Sequence, residues 1–162
     1  MDKNHTRSLG DIVDAVSNKK LALLKDIIRP QSMEMEDVVI SGLILDSRQV
    51  TAGSLFVALR GTQVDGHQYI DKAIQLGAAA ILCEALPEQI SADTTYIVVA
   101  DSAMAMGYMA AAYYDNPSRK LKLVGVTGTN GKTSVATFLF QLFRNLGHRC
   151  GLLSTVQNQI ED

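Results

Sequence analysis

The residues of this chain best suited to chemistry lie in one glycine-rich stretch, LVGVTGTNGKTSVATF, at positions 123–138. It contains the triplet Gly131, Lys132 and Thr133, which forms the second half of the usual phosphate-binding pattern G-x-x-x-x-G-K-[ST]. Val126 replaces the first glycine of that pattern, and glycines stand on either side of it. The stretch is therefore either a nucleotide site with its own backbone path or an ordinary turn with an exposed lysine.

The sequence on both sides of the stretch favours the nucleotide site. Residues 121–126 form a short apolar run rich in β-branched residues, which predicts a buried strand. The apolar residues that follow recur at helical spacing and predict a helix with one apolar face. They are Val135, Phe138, Leu139, Leu142, Phe143 and Leu146. Gly147 provides a natural end to that helix. A strand, a glycine-rich turn and a helix in this order are the context that a phosphate loop requires.

The predicted loop contains the groups that phosphate binding needs. Free backbone N–H groups and the positive end of the dipole at the start of a helix favour an anion. Gly128 and Gly131 can adopt positive φ angles that let the backbone approach phosphate oxygens. Lys132 can reach the outer phosphates, and the Thr133 hydroxyl is placed to ligate Mg²⁺.

The composition is that of an ordinary globular protein and excludes several classes of function. The 162 residues are 47% hydrophobic and 20% charged, with a net charge of −2 and a pI near 5.9, which does not suit nucleic-acid binding. The start of the chain lacks the apolar run of a signal peptide, and the most apolar stretch, 103–114, is too short to span a bilayer. Cys83 and Cys150 could pair, but two reduced core residues are the simpler interpretation. We therefore expect a cytoplasmic protein with no nucleic-acid partner and no membrane insertion.

Strands and helices alternate along the chain. Ser8 and Asp11 resemble a capping box that opens a predicted helix. Its apolar residues are Ile12, Val13, Val16, Leu21 and Leu24. Strands are predicted at 38–45, 54–59, 79–83 and 96–100, and further helices at 69–76, closed by Gly77, and at 102–114. This order argues for an α/β fold with a largely parallel or mixed sheet.

The turn residues Asp115-Asn116-Pro117-Ser118 mark the predicted domain boundary. Residues 1–118 are then a complete N-terminal α/β domain. Residues 119–162 contribute a strand, the phosphate loop, a helix and a strand at 150–156, which open a Rossmann-like ATPase domain. Such a domain needs several more strands and an acidic residue that helps to hold Mg²⁺. We therefore expect this chain to be a piece of a longer protein, without ligase activity of its own.

Two stretches resemble one enzyme family. TGTNGKT, at 127–133, resembles the ATP-binding loop of the Mur ligases and their folylpolyglutamate synthetase relatives, in which the first glycine of the general pattern is absent. Residues 45–84 resemble the N-terminal domain of Mur ligases in the motifs DSR, GSLFVALRG, DGHQYI and GA before a strand. DSR and the TGTN spelling favour the MurE-type branch, which adds the third peptide residue. The MurF-type branch, which adds D-Ala-D-Ala, usually has DTR.

The resemblance implies two binding sites. The ATP site would comprise Gly128, Thr129, Asn130, Gly131, Lys132, Thr133 and Ser134, with Lys132 as the catalytic residue and Thr133 as a ligand of Mg²⁺. The UDP-sugar site would comprise Leu45, Ser47, Thr62, Gln63 and Val64, at the rim of the sheet. The residues alone leave open whether Asp46-Ser47-Arg48 contacts UDP or only forms a capped turn with an internal ion pair. Asp65-Gly66-His67 is expected to form a turn and a helix cap.

The implied reaction is ATP-dependent amide-bond formation in peptidoglycan precursor synthesis. The D-glutamate carboxylate of UDP-N-acetylmuramoyl-L-Ala-D-Glu is phosphorylated by ATP, and the amine of a diamino acid attacks the acyl phosphate. In the family a C-terminal domain, outside these residues, selects the diamino acid, usually meso-diaminopimelate or lysine. The linker sequence DNPS is therefore given no role in specificity.

Three alternative functions remain open. A MurF-type ligase shares much of the motif pattern. A generic P-loop NTPase or small-molecule kinase would also use a phosphate loop, although Val126 and the large domain before the loop argue against it. A UDP-sugar-binding module with a vestigial loop is the third.

Overall fold

The computed structural model describes residues 5–17, 23–31, 33–61 and 64–160. The chain divides into two units, Met1–Lys120 and Leu121–Asp162. The first unit contains, in chain order, β1 (Arg7–Ser8), α1 (Leu9–Ser17), β2 (Leu24–Ile28), β3 (Val39–Ile40), β4 (Gly42–Ile44), β5 (Ser54–Val57), α2 (Ile70–Gln75), β6 (Ala80–Cys83), β7 (Thr95–Val99) and α3 (Ser102–Tyr113). Short 3₁₀ turns lie at Ser47–Gln49, Gly66–Tyr69 and Pro117–Lys120.

A five-stranded mixed sheet forms the centre of the first unit. Its strand order is β2-β7-β6-β5-β4, in which β4 to β7 pair in parallel and β2 runs antiparallel to β7. Every residue of β5, β6 and β7 is buried, as parallel strands covered on both faces require. The predicted α/β fold with a mixed sheet is confirmed.

Alternating strand residues build a separate core on each face of the sheet. Leu55 and Val57 of β5 pack in the cluster that contains the apolar residues of α1 and α3. Phe56, between them, packs in the other cluster with Ile70 and Ala73 of α2. Because side chains alternate across a strand, one short apolar run can serve both cores.

The prediction of a helix reaching Leu24 was wrong. Helix α1 begins after Ser8, whose hydroxyl accepts from the Asp11 N–H at 3.2 Å, and it ends at Ser17. Leu21 lies outside the described residues, and Leu24 opens β2, paired with Val99 of β7. The backbone of β7 pairs with this segment, and a search for helical spacing cannot detect such a distant partner.

The single strand predicted at 38–45 is two strands in two different sheets. β3 pairs with β1 in an antiparallel ribbon, whereas β4 joins the central sheet. Ser41 separates them, with its N–H donating to Gly53 O at 2.9 Å and its hydroxyl to Ala52 O at 3.2 Å. These tertiary hydrogen bonds of Ser41 therefore divide the apolar segment into two strands, and the apolar pattern of the sequence could not predict them.

The second unit contains α4 (Lys132–Asn145), β8 (Gly151–Leu153) and β9 (Asn158–Ile160), and β8 and β9 pair antiparallel. The predicted helix and its end at Gly147, with φ +81°, are confirmed. The predicted strand at 150–156 is shorter and starts after Cys150. The strand predicted at 121–126 was wrong, because residues 122–127 have no regular structure and Leu123 is 74% exposed. No described strand pairs with this run, so its backbone has no ladder to join.

The apolar face of α4 is largely exposed in the described unit. Phe138 is 68% exposed and Leu142 51%, whereas Phe140 and Leu152 of β8 are buried. The predicted helix with one apolar face is confirmed, and most of that face is left exposed by the described residues of this unit. No helix within the described residues combines the length and the apolar character needed to cross a membrane.

Leu82→Ala should test the importance of the doubly covered sheet. Leu82 is fully buried in β6, and truncating such a leucine typically destabilises a protein by about 2–5 kcal/mol. Leu76→Ala, the same change at a residue that is 43% exposed, should alter stability by roughly 0.5 kcal/mol or less. Urea unfolding of both variants measures the difference, and equal losses would contradict this account of the core.

Candidate functional site

The carboxyl ends of three parallel strands place polar residues along one edge of the sheet. The chain leaves β4 at Leu45, β5 at Ala58 and β6 at Glu84. Because neighbouring parallel strands end on the same side, the segments that follow them lie at a common edge. Ligands of α/β proteins bind at such edges, so this edge is the first candidate site.

An open cleft of about 450 Å³ lies beside the end of β4. Its lining residues are Leu45, Asp46, Ser47, Arg48, Tyr69 and Lys72. The cleft brings together Leu45 and Ser47, two residues singled out by sequence. Val64 is 51% exposed and does not line it, and Thr62 and Gln63 lie outside the described residues.

Asp46 and Arg48 form a two-pronged ion pair at the mouth of the cleft. Arg48 Nε lies 2.9 Å from Asp46 Oδ1, Arg48 Nη2 lies 2.6 Å from Oδ2, and the Arg48 N–H also donates to Oδ1 at 3.0 Å. The hydrogen bonds from Arg48 lower the pKa of Asp46 to about 2. The internal ion pair, one of the alternatives left open for the DSR motif, is therefore present in the 3₁₀ turn that contains Ser47.

Ser47 is the unusual residue of this turn, because it is buried and its side chain has no partner among the described residues. Only 7% of it is exposed, yet its hydroxyl makes no hydrogen bond to any residue that the structure describes. Buried polar groups are nearly always hydrogen-bonded, and an unpaired one is destabilising. A hydroxyl in this state, lining a cleft, can bind a polar atom of a ligand.

Tyr69 and Lys72 are cleft residues that the sequence analysis missed. Lys72 lies in the first turn of α2, and Tyr69 precedes the helix by one residue. Their spacing of three places both on one helical face, which is the signal that could have found them. Which face meets the Ser47 turn depends on tertiary packing, and spacing alone does not specify it.

A chain of hydrogen bonds connects the segments that follow β5 and β6. Asp65 Oδ1 lies 3.0 Å from the His67 N–H and 2.6 Å from His67 Nδ1, so Asp65 caps the short turn as expected. His67 Nε2 lies 2.9 Å from the Glu84 N–H. Glu84 Oε1 accepts from the N–H and the hydroxyl of Ser102, at 3.0 and 2.8 Å.

Asp65 and Glu84, the two carboxylates in this series of hydrogen bonds, are held in their charged forms. Hydrogen bonds from His67 lower the pKa of Asp65, and hydrogen bonds from Ser102 lower the pKa of Glu84. Arg60 lies 3.8 Å from Asp65 and 3.7 Å from Glu84. Each carboxylate can therefore accept hydrogen bonds at neutral pH.

The second candidate site is the glycine-rich loop before α4. Gly128 and Gly131 have φ angles of +148° and +77°, which confirms the prediction that both adopt positive values. Lys132 Nζ lies 2.6 Å from Gly128 O and 3.2 Å from Thr129 O. The first bonded amide is Val135 N–H, which donates to Gly131 O, so the amides of residues 132–134 donate to no acceptor among the described residues.

These features suit an anion and a hard cation. Three free N–H groups, an ammonium group and the positive end of a 14-residue helix meet at one exposed loop. Thr133 is half-buried in the first helical turn, and Thr129, Asn130 and Ser134 are exposed beside it. The loop can hold phosphate oxygens, and the Thr133 hydroxyl is the oxygen ligand available to Mg²⁺.

Comparisons with known proteins agree on one family. Residues 39–114 match the model of the Mur ligase family, catalytic domain. The chain is 54% identical over 142 residues to the UDP-N-acetylmuramoyl-L-alanyl-D-glutamate--2,6-diaminopimelate ligase of Parabacteroides distasonis, and 56% identical over 127 residues to that of Bacteroides fragilis. These alignments cover 85% and 78% of the chain but only 29% and 26% of the relatives. The chain thus spans less than a third of the curated relatives it matches.

Solved structures show the same fold. A structure of UDP-N-acetylmuramoyl-L-alanyl-D-glutamate--2,6-diaminopimelate ligase superposes with a TM-score of 0.63 at 27% identity, over 82% of this chain and 27% of that one. MurF from Acinetobacter baumannii superposes with a TM-score of 0.64 at 22% identity, over 89% of this chain and 29% of that one. At that identity the second match concerns the fold alone.

Arg48→Gln should raise the pKa of Asp46. Removing the guanidinium removes the main cause of the low value, so the pKa should move from about 2 toward the ordinary 3.8. Because the folded pKa is the lower one, stability from the pair is present above about pH 4 and is lost as the pH falls toward 2. Carboxyl ¹³C NMR of Asp46 measures the shift, with Arg119→Gln in the exposed linker as the control. An unchanged Asp46 titration in Arg48→Gln would contradict the assignment.

Proposed function

Because the chain belongs to the Mur ligase family, we propose that it carries the UDP-anchoring unit and the ATP phosphate loop of an ATP-dependent ligase. The proposed ligase adds a diamino acid to UDP-N-acetylmuramoyl-L-Ala-D-Glu during peptidoglycan precursor synthesis. The observation that carries the proposal is the loop at residues 128–134, where free amides and Lys132 meet at a helix start. The names of the relatives supply the substrate, and 2,6-diaminopimelate is the diamino acid that we infer from them.

The domain assignment follows the two structural units. We propose that residues 1–118 form the UDP-MurNAc-binding domain, and that residues 119–162 begin the central ATP-binding domain. The first contains the cleft at Ser47, and the second contains the phosphate loop. We also propose a cytoplasmic location, because the nucleotide-linked substrate and ATP are cytoplasmic metabolites.

The UDP end of the substrate fits the chemistry of the cleft. The buried Ser47 hydroxyl has no hydrogen-bond partner among the described residues and can accept from, or donate to, a polar atom of the uridine. The Tyr69 ring, 38% exposed, offers an apolar face to the base. Lys72 lines the same cleft, and its charge, which also acts on Asp46, would attract the diphosphate. Leu45 lines the cleft as well, and the family resemblance adds Thr62, Gln63 and Val64 to the proposed site.

The ATP end fits the loop before α4. Gly128, Thr129, Asn130, Gly131, Lys132, Thr133 and Ser134 would surround the phosphates. Lys132 now donates to two loop carbonyl oxygens, and an arriving phosphate would compete with them for the ammonium group. When bound, Mg²⁺ supplies positive charge against the phosphate oxygens, and Thr133 is the residue of this chain that would hold it.

The proposed chemistry makes a carboxylate reactive. A carboxylate oxygen of D-glutamate attacks the terminal phosphorus of ATP, the bond to ADP breaks, and an acyl phosphate forms. The amine of the diamino acid then attacks the acyl carbon and loses a proton as phosphate leaves with the bonding electrons. This chain's contribution is to position the phosphates and to neutralise their charge through Lys132 and the loop amides.

UDP should bind at the cleft of the 162-residue chain. Because the remainder of the substrate would be held by other parts of a ligase, a dissociation constant of about 0.1–10 mM is expected. Titration should shift the amide resonances of residues 45–48, 69 and 72, and Ser47→Ala should weaken binding by about two- to tenfold. Ser118→Ala, an exposed serine of the linker, is the matched control. If the sample is folded and UDP does not shift the resonances of the cleft residues, UDP binding by the first unit is excluded.

Lys132→Ala should impair the ligase. A charge-assisted hydrogen bond to phosphate contributes roughly 1.5–3 kcal/mol, so kcat/KM should fall about tenfold or more. The measurement is a steady-state assay of the full-length protein that contains this chain, with Lys122→Ala at an exposed position as the control. Normal turnover in Lys132→Ala would contradict the catalytic assignment, and normal turnover with ATP but no diamino acid would favour a generic NTPase.

A further inference from the structure

His67 connects two segments that the sheet places side by side but does not itself join. On one side its Nδ1 lies 2.6 Å from Asp65 Oδ1, in the loop after β5. On the other side its Nε2 lies 2.9 Å from the backbone N–H of Glu84, directly after β6. The His67 side chain is 15% exposed and that of Asp65 is 48% exposed, so the contact with Glu84 is the more shielded of the two.

The two partners determine the tautomer of this histidine. A backbone N–H can only donate, so His67 Nε2 must be the acceptor and must lack a proton. In a neutral imidazole the other nitrogen then bears the proton, which Nδ1 donates to the charged Asp65 carboxylate. The charged imidazolium would instead direct a second N–H at the Glu84 amide and lose that hydrogen bond.

The groups around His67 close into a ring. Arg60, at the start of the loop, lies near Asp65 at its end and also near Glu84. Glu84 is in turn fixed by Ser102 at the start of α3. The loop after β5 is thereby attached to β6 and to α3, not only to its own strand.

Hydrogen bonds fix the backbone at both ends of this loop. Gly61 N–H donates to Val64 O at 3.1 Å, and Gly66 N–H donates to Leu59 O at 2.7 Å. A Cβ atom on Gly61 would lie 2.6 Å from Val64 O, and one on Gly66 would lie 2.8 Å from backbone atoms of Leu59. Both contacts are too short for any side chain, so the backbone is closely packed at both ends of the loop.

We propose that His67 is the positioning residue of this loop: its neutral imidazole, protonated on Nδ1, holds Asp65 and Val64 in place against the end of β6. The consequence for UDP affinity rests on the proposed function, in which Val64 belongs to the UDP site although it does not line the Ser47 cleft. The positioning of the loop itself does not, so the two can be tested apart.

The tautomer is tested in the unmodified chain. Long-range ¹H–¹⁵N spectra of the imidazole distinguish a protonated from an unprotonated ring nitrogen. At neutral pH we expect a protonated Nδ1 and an unprotonated Nε2 on His67. A proton on Nε2 would overturn the proposal without the need for any variant.

Two substitutions separate positioning from a general contribution to stability. In His67→Gln the side-chain oxygen can take the place of Nε2 and accept from Glu84. In His67→Asn the shorter amide can still donate to Asp65 but cannot reach Glu84. His148→Gln, an exposed histidine of the second unit, is the matched control.

Amide hydrogen exchange should show partial rescue by glutamine. Losing one hydrogen bond of about 1 kcal/mol should speed exchange at Glu84 and Gly61 about fivefold in His67→Asn, and less in His67→Gln. Exchange at Leu82 and Val98, in the sheet core, should stay unchanged. Equal exchange in both variants, or equal acceleration throughout the sheet, would overturn the positioning role.

UDP titration of the same variants completes the test. Affinity should fall about threefold or more in His67→Asn and less in His67→Gln. If UDP does not bind to the unmodified chain, the proposed function is contradicted. The role of His67 is then still tested by the hydrogen-exchange rates and by the tautomer. If the affinity for UDP is unchanged in His67→Asn, the position of the loop does not affect UDP binding, and the proposed effect of His67 on UDP affinity is overturned.

Discussion

The parallel pairing of β4, β5, β6 and β7 is the constraint on which the rest of the first unit depends. Parallel strands are stable only when both faces are covered, and here α1 and α3 cover one face while α2 covers the other. The same pairing ends neighbouring strands at a common edge. Burial of the sheet thus determines where the polar residues after each strand can meet, and both the Ser47 cleft and the His67 ring lie at that edge.

Charged residues at this edge are stabilised by local partners. Asp46 is bound by Arg48 two residues away, and Asp65 by the His67 that follows it. Glu84 is instead bound by Ser102, from a distant part of the chain. The local pairs shape individual turns, whereas the distant pair ties separate segments together. Ser47 is the exception to this satisfaction of polar groups, which is why its hydroxyl has the clearest capacity to bind a ligand.

Sequence reasoning was accurate where structure is local. The start of α1 at Ser8, the turns closed by Gly77 and Gly147 and the positive φ angles of Gly128 and Gly131 depend on a few neighbouring residues. It failed where the local structure depends on a partner from a distant part of the sequence. Leu24 lies in a strand because it pairs with Val99 of β7, and residues 121–126 have no regular structure because no described strand pairs with them. In the same way, Leu45 and Ser47 could be inferred from motifs, but Tyr69 and Lys72 required the packing of α2 against the Ser47 turn.

The two candidate sites differ in what maintains them. The phosphate loop depends on local features, since Gly131 sets the turn and the first amides of α4 are free in any helix that starts there. The second unit accordingly presents this loop although it buries few apolar residues, among them Phe140 and Leu152. The cleft depends on the whole sheet, because Ser47, Tyr69 and Lys72 come from segments that meet only through the packing of β4, β5 and α2. A substrate at the cleft would therefore depend on segments that the buried sheet brings together, and the phosphates on a loop whose geometry needs only its own residues.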